Sequence, residues 1–117
     1  MLNFIKNLLG GSSETTFANL NSEDFTSKLK ETKKFMILDV RHKHEFDVEK
    51  IPNAVNMDVM MPNFKDKMEH YDRSKTYFIY CQSGRRSVKA CKALAKMGFE
   101  NLVNLKGGMN QFVGKTV

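Results

Sequence analysis

Apolar residues recur along the chain in two spacings, one typical of helices and one typical of buried strands. Phe25 and Leu29 are four residues apart and share one face of a helix that Asn21 or Ser22 can cap. Residues 35–38 then form an uninterrupted apolar run, as expected for a strand buried on both faces. This succession of helix and strand patterns predicts an α/β domain with a parallel sheet and crossover helices.

The same patterns place the remaining elements. Helices are predicted at about 22–32, 42–48, 62–68, 87–97 and 109–113, and strands at about 35–38, 54–56, 76–80 and 102–105. The helix 87–97, with Ser87 as its cap, has an apolar face that includes Cys91 and Leu94 and an opposite face rich in lysine. We expect that apolar face to pack on the sheet. These elements predict a single domain, 21–117.

Residues 1–20 precede this pattern and are predicted to be a separate N-terminal segment. The apolar residues at positions 4, 5, 8 and 9 share one face and can form a short amphipathic helix, which we expect to dock on the domain itself. Residues 10–13, Gly-Gly-Ser-Ser, have the composition of a flexible linker. Polar residues interrupt the apolar ones too early for a signal peptide, and we expect no membrane span.

Composition and charge narrow the class of protein. A chain of 117 residues with 41% hydrophobic and 27% charged residues suits one folded domain and excludes a disordered chain. Two cysteines are too few for a disulfide scaffold, so we expect a reducing, cytoplasmic compartment. The 19 Lys and Arg against 13 Asp and Glu give a net charge of +6, which favours anionic ligands. No nucleic-acid-binding motif is recognisable, so we do not expect a nucleic-acid partner.

The residue with the clearest chemical signal is Cys81. It follows the predicted strand 76–80, at the edge where open α/β sheets bind ligands. The polar turn after it contains Gly84, which allows the chain to curl so that several N–H groups point inward. These amides, the following helix N-terminus, Arg85 and Arg86 favour a thiolate and bind anions. We therefore interpret Cys81 as a nucleophile rather than a small buried hydrophobic residue.

Two kinds of anion chemistry use such a loop. A cysteine-dependent phosphatase has five residues between its cysteine and its arginine, and Ser87 occupies that arginine position here. Arg86 comes one residue early, so the ring is smaller and better suited to a sulfur atom carried on Cys81. We favour sulfur chemistry, with phosphatase or arsenate reductase activity as the alternative.

Several motifs resemble the rhodanese-like sulfurtransferase family, in its order and spacing, over nearly the whole chain from about residue 21. They are Leu38-Asp39-Val40-Arg41, Glu45-Phe46, Ile51-Pro52-Asn53-Ala54 with Asn56, Tyr80-Cys81-Gln82-Ser83-Gly84-Arg85-Arg86-Ser87, and Leu105-Lys106-Gly107-Gly108-Met109. The resemblance implies a three-layer α/β fold, with a central, mostly parallel sheet of about five strands flanked by helices. The chain departs from the family at 49–50, where Gly-His is usual, and at Phe112, where Trp or Tyr is usual.

The resemblance also implies a function without cofactor or metal. Cys81 would take the outer sulfur of a small anionic donor such as thiosulfate or a polysulfide, or of a protein persulfide. It would pass that sulfur to cyanide, a thiol or a protein acceptor. A persulfide carrier or protein-interaction module with little turnover of its own is the alternative. The expected substrate-binding loop consists of Gln82, Ser83, Gly84, Arg85, Arg86 and Ser87, with the two arginines attracting the donor.

Four other residues invite interpretation. Asp39, Arg41 and Glu45 are expected to give structural support, with Arg41 paired to Glu45 and Asp39 holding loops together. Cys91 lies ten residues after Cys81 on an apolar helix face, which favours buried packing over a role as a resolving cysteine. The oligomeric state is not indicated by any of these patterns.

Overall fold

The computed structural model describes residues 17–117, so the predicted amphipathic helix at the N-terminus lies outside the described residues. The strands are β1 (Ala18–Leu20), β2 (Phe35–Asp39), β3 (Val55–Asn56), β4 (Thr76–Tyr80) and β5 (Asn101–Leu105). The helices are α1 (Ser22–Glu31), α2 (Lys43–Val48), α3 (Phe64–Met68), α4 (Arg85–Lys96) and α5 (Gly108–Gln111). None of these helices is long and apolar enough to cross a membrane.

The five strands form one parallel sheet in the order β1-β5-β4-β2-β3, which confirms the predicted α/β architecture. From β2 the chain passes outward to β3, whereas from β4 it passes to β5 on the other side. The loops after β2 and β4 therefore diverge at a topological switch point, where open parallel sheets form a crevice for ligands. Asp39 pairs in register with Tyr80, which places the Asp39–Arg41 segment beside Cys81.

Alternation along β4 explains why large apolar and aromatic residues occupy both of its faces. Tyr77 and Ile79 face one core, which α3 and α4 cover, while Phe78 and Tyr80 face a second core, which α1 covers. The Phe25 ring of α1 packs edge-on against Phe78, with ring centroids 5.3 Å apart. Because both faces of this central strand are buried, both favour apolar and aromatic side chains.

The N-terminal boundary of the predicted domain is wrong. β1, at residues 18–20, pairs with β5 and belongs to the sheet, although we assigned these residues to the segment before the domain. A strand of three residues at the sheet edge is too short to show an alternating pattern. Its place is decided by the partner strand rather than by its own sequence.

The predicted start of the helix after Cys81 is also wrong. α4 begins at Arg85 rather than at Ser87, and Gly84 occupies the N-cap position with φ 103°. A left-handed backbone of this kind strongly favours glycine. The Ser87 hydroxyl donates a hydrogen bond back to the Gly84 carbonyl oxygen at 3.2 Å instead of capping the helix. Both arginines consequently lie in the first turn of α4.

Candidate active site

Cys81 lies directly after β4, and its sulfur is surrounded by the backbone of the following turn. The Sγ atom accepts hydrogen bonds from the backbone N–H of Gly84 at 3.1 Å and of Ser87 at 3.3 Å. As a thiol it donates to the Ser87 hydroxyl at 3.3 Å. The residue is 0% exposed, so these groups replace water around the sulfur. Two backbone amides that donate to one buried sulfur stabilise a negative charge on that atom.

The loop is fixed from the outside by α5. The backbone N–H of Met109 donates to the Cys81 carbonyl at 2.9 Å, and that of Asn110 donates to the Gln82 carbonyl at 3.0 Å. The Gln82 side-chain amide also donates to Asn110 Oδ1 at 2.7 Å. This support was not predicted from sequence, where Gly107 and Gly108 indicate a turn but not the loop against which it packs. Cys81 and Gln82 are thus held by α5, whereas Ser83 is an exposed residue of the loop.

Glycine is required at position 108. Its φ is 59°, and a Cβ atom there would lie 2.5 Å from the Cys81 carbonyl oxygen and 2.6 Å from the backbone of Gln82. Both contacts are with backbone atoms, which cannot rotate away as the end of a side chain can. The close approach of α5 to the active-site loop therefore depends on the missing side chain.

Asp39 and Arg41 form a buried ion pair at the end of β2. Arg41 Nη2 donates to Asp39 Oδ2 at 2.7 Å and Nε donates to Oδ1 at 3.0 Å, with side chains 3% and 0% exposed. Arg41 also donates through Nη1 to Gln82 Oε1 at 3.0 Å and through Nη2 to the Glu49 carbonyl. The predicted pairing of Arg41 with Glu45 is wrong, because Asp39 is two residues away on the same strand end and already satisfies the guanidinium.

Glu45 pairs instead with Arg86 in the first turn of α4. Arg86 donates from Nη1 to Oε1 at 2.8 Å and from Nη2 to Oε2 at 3.0 Å. Chiefly through these hydrogen bonds, Arg86 lowers the pKa of Glu45 to about 2, and Glu45 in turn raises the pKa of Arg86. Of the two arginines predicted to attract an anionic donor, Arg86 is thus held by Glu45. Arg85 is exposed and makes no ion pair within residues 17–117.

Cys91 lies in the core beneath α4. It is 0% exposed and belongs to the same apolar cluster as Leu94. Burial, with a smaller contribution from Cys81, raises the pKa of Cys91 well above its usual value, so the residue remains a neutral thiol. The structure confirms that Cys91 is a buried packing residue.

Residues 17–117 contain no group of three His, Cys, Asp or Glu side chains close enough to hold a metal ion. The groups that donate to Cys81 Sγ are backbone amides, which are donors toward an anion rather than ligands for a cation. The local geometry therefore suits a reaction in which charge resides on sulfur.

Comparison with known proteins agrees with this geometry. The family model for the rhodanese-like domain matches residues 22–115, which is most of the chain. The chain belongs to the rhodanese-like domain family. Among solved structures, a rhodanese-related protein from Thermoplasma volcanium superposes with a TM-score of 0.74 and 25% identity, covering 86% of this chain and 98% of that one. The predicted rhodanese-like fold is confirmed.

Two relatives of this rhodanese-like domain come from Bacillus subtilis. "Putative sulfurtransferase YtwF" is 37% identical over 89 residues, which span 76% of this chain and 84% of YtwF. "Putative sulfur carrier protein YrkF" is 28% identical over 102 residues, which span 87% of this chain and 54% of YrkF. The rhodanese-like domain thus accounts for most of YtwF and about half of YrkF.

Proposed function

We propose that this rhodanese-like domain is a sulfurtransferase that carries a sulfane sulfur as a persulfide on Cys81. The observation that carries the proposal is the cradle around Sγ, where the amides of Gly84 and Ser87 donate to a sulfur shielded from water. The names of YtwF and YrkF, a sulfurtransferase and a sulfur carrier, support the same chemistry. We expect the cytoplasm as its compartment because both cysteines are free thiols.

In the first half of the reaction, the Cys81 thiolate attacks the outer sulfur of a donor such as thiosulfate. A new S–S bond forms to Sγ, the S–S bond within thiosulfate breaks, and its electron pair leaves with sulfite. The product is a persulfide anion on Cys81, and total charge is conserved. The loop amides are positioned to stabilise negative charge near Sγ during this exchange.

In the second half, an acceptor nucleophile attacks the outer sulfur of the persulfide. With cyanide the products are thiocyanate and the Cys81 thiolate, and with an acceptor thiolate they are a new persulfide and the Cys81 thiolate. The S–S bond to Sγ breaks with its electrons returning to Cys81, so no external oxidant or reductant is consumed. The same amide cradle that receives the charge in the first half receives it again here.

A persulfide carrier with slow turnover on small molecules is the second candidate, and the name of YrkF favours it. Phosphatase or arsenate reductase activity ranks below both. Such chemistry needs a free guanidinium over the loop to bind the oxyanion, whereas Arg86 is held at both of its terminal nitrogens by Glu45. The loop is also one residue shorter than that chemistry requires.

Intact-protein mass spectrometry tests the proposal. After incubation with thiosulfate, a polysulfide or a low-molecular-weight persulfide, the wild-type protein should gain the mass of one sulfur atom. Cys81→Ser should gain none. Cys91→Ser is the matched control, and it should still gain one sulfur because Cys91 is a buried neutral thiol.

The outcome that contradicts sulfur transfer is the absence of any mass gain with all three donors. Subsequent addition of cyanide separates the two candidates. Rapid, repeated formation of thiocyanate indicates a free-standing sulfurtransferase. A stable persulfide that reacts slowly with cyanide indicates a carrier.

A further inference from the structure

One face of α4 carries a row of exposed cations that begins beside the Cys81 loop and extends away from it. Arg85, Lys89, Lys92 and Lys96 are spaced four, three and four residues apart, which places them on the same side of the helix. Together with Lys65 of α3, these residues line a groove of about 450 Å³. We call this the α3–α4 groove.

The charge of the α3–α4 groove is not balanced within residues 17–117. None of the side chains that line it in this part of the chain is acidic, and α4 contains no Asp or Glu. None of the five cations takes part in an ion pair within residues 17–117, whereas Arg41, Lys43, Arg73 and Arg86 each have an acidic partner. Five unpaired cations around one groove attract an anionic partner over a distance of about 10 Å.

The uncharged residues of the groove indicate which kind of anion fits. Val88 and Ala93 line it beside the cations, and none of its lining residues among 17–117 is aromatic. Sites for single-stranded nucleic acid combine cations with aromatic rings on which bases stack. A lining of cations and apolar side chains instead complements a peptide segment that has both acidic and apolar side chains.

The groove also starts at the active site. Arg85 follows Gly84, whose N–H donates to the Cys81 sulfur. At a rise of 1.5 Å per residue, the row from Arg85 to Lys96 is about 16 Å long. A segment of about three helical turns seated there would bring its own protein next to the Cys81 loop.

The geometry points to a protein acceptor: the α3–α4 groove docks an acidic segment of a protein whose thiol takes the sulfur from Cys81. The transfer step rests on the proposed function, whereas the docking step does not. In that transfer, the partner's thiolate attacks the outer sulfur of the Cys81 persulfide. The S–S bond to Sγ breaks, its electrons return to Cys81, and the persulfide moves to the partner.

The test uses a synthetic peptide with several glutamates, interspersed leucines and one terminal cysteine, and a second peptide with glutamine in place of glutamate. Peptide binding is measured by fluorescence anisotropy, and sulfur transfer from the persulfidated protein by mass spectrometry. At low salt the wild-type protein should bind the acidic peptide at least about tenfold more tightly than the glutamine peptide. The persulfidated wild-type protein should also transfer sulfur to the acidic peptide correspondingly faster than to the glutamine peptide. Added salt should remove the preference for the acidic peptide.

The double variant Lys89→Glu/Lys92→Glu should lose this preference while keeping its rate toward 2-mercaptoethanol. Lys28→Glu/Lys30→Glu on α1 changes the net charge equally, lies outside the groove, and should keep the preference. The inference is overturned if both variants behave alike, if the acidic peptide binds no better than the glutamine peptide, or if a single-stranded RNA of equal charge binds while the acidic peptide does not. If the acidic peptide binds tightly through the groove but no donor forms a persulfide on Cys81, the sulfur-transfer step is refuted and the docking step is retained.

Discussion

The buried pair between Asp39 and Arg41 permits a quantitative prediction. Asp39→Asn keeps the size of the side chain and one oxygen acceptor but removes the negative charge. Arg41, only 3% exposed, would then be a buried cation with only neutral acceptors: the asparagine oxygen, the Gln82 side chain and the Glu49 carbonyl. A cation cannot recover its lost hydration in that position, so the folded state should be strongly destabilised.

The expected magnitude follows from the burial of the pair. Removing one partner of a buried ion pair costs about 3–5 kcal/mol, and the retained acceptor of asparagine places this substitution near about 3 kcal/mol. For a domain of this size, an m-value of about 1.5 kcal/mol/M converts that loss into a fall of about 2 M in the urea midpoint. Urea unfolding followed by circular dichroism measures both quantities, and the m-value should not change.

Asp47→Asn is the matched control for the buried pair. It makes the same chemical change in the ion pair with Lys43, whose side chains are 54% and 79% exposed, and it should cost less than about 1 kcal/mol. If Asp39→Asn costs no more than this exposed control, the Asp39 charge does not compensate buried Arg41, and the reasoning fails.

Two further substitutions test other contacts of the site. Glu45→Gln should lower the free energy of unfolding by about 2 kcal/mol at pH 7. Because Arg86 lowers the pKa of Glu45 from 4.5 to about 2, the difference in unfolding free energy between wild type and variant should shrink as the pH falls from 4.5 toward 2. A difference that does not change with pH would contradict the pairing. Gly108→Ala should slow persulfide formation at least about tenfold by displacing the loop. Gly98→Ala, also at positive φ but with no contact closer than 3.9 Å, should lose stability without losing persulfide formation, and equal rates in the two variants would argue against the steric account.

Local patterns in the sequence were sufficient to predict most of the fold. The strand 76–80 was predicted at its observed bounds, because a run of β-branched and aromatic residues is typical of a buried strand. The position of Cys81 after that strand followed from the same run, as did the turn at Gly84. A residue's place in a helix or strand is largely a property of its neighbours in sequence, so these features needed no knowledge of the rest of the molecule.

The tertiary structure decided the contacts that join distant segments at the Cys81 site. Arg41 was expected to pair with Glu45, but it pairs with the nearby Asp39, and Glu45 pairs with Arg86, 41 residues further along the chain. The support of the Cys81 loop by α5 likewise joins segments 28 residues apart. The sequence alone does not distinguish which acidic side chain each of these cations will pair with. Which pair forms depends on strand register, helix phase and side-chain reach, and these exist only once the chain has folded.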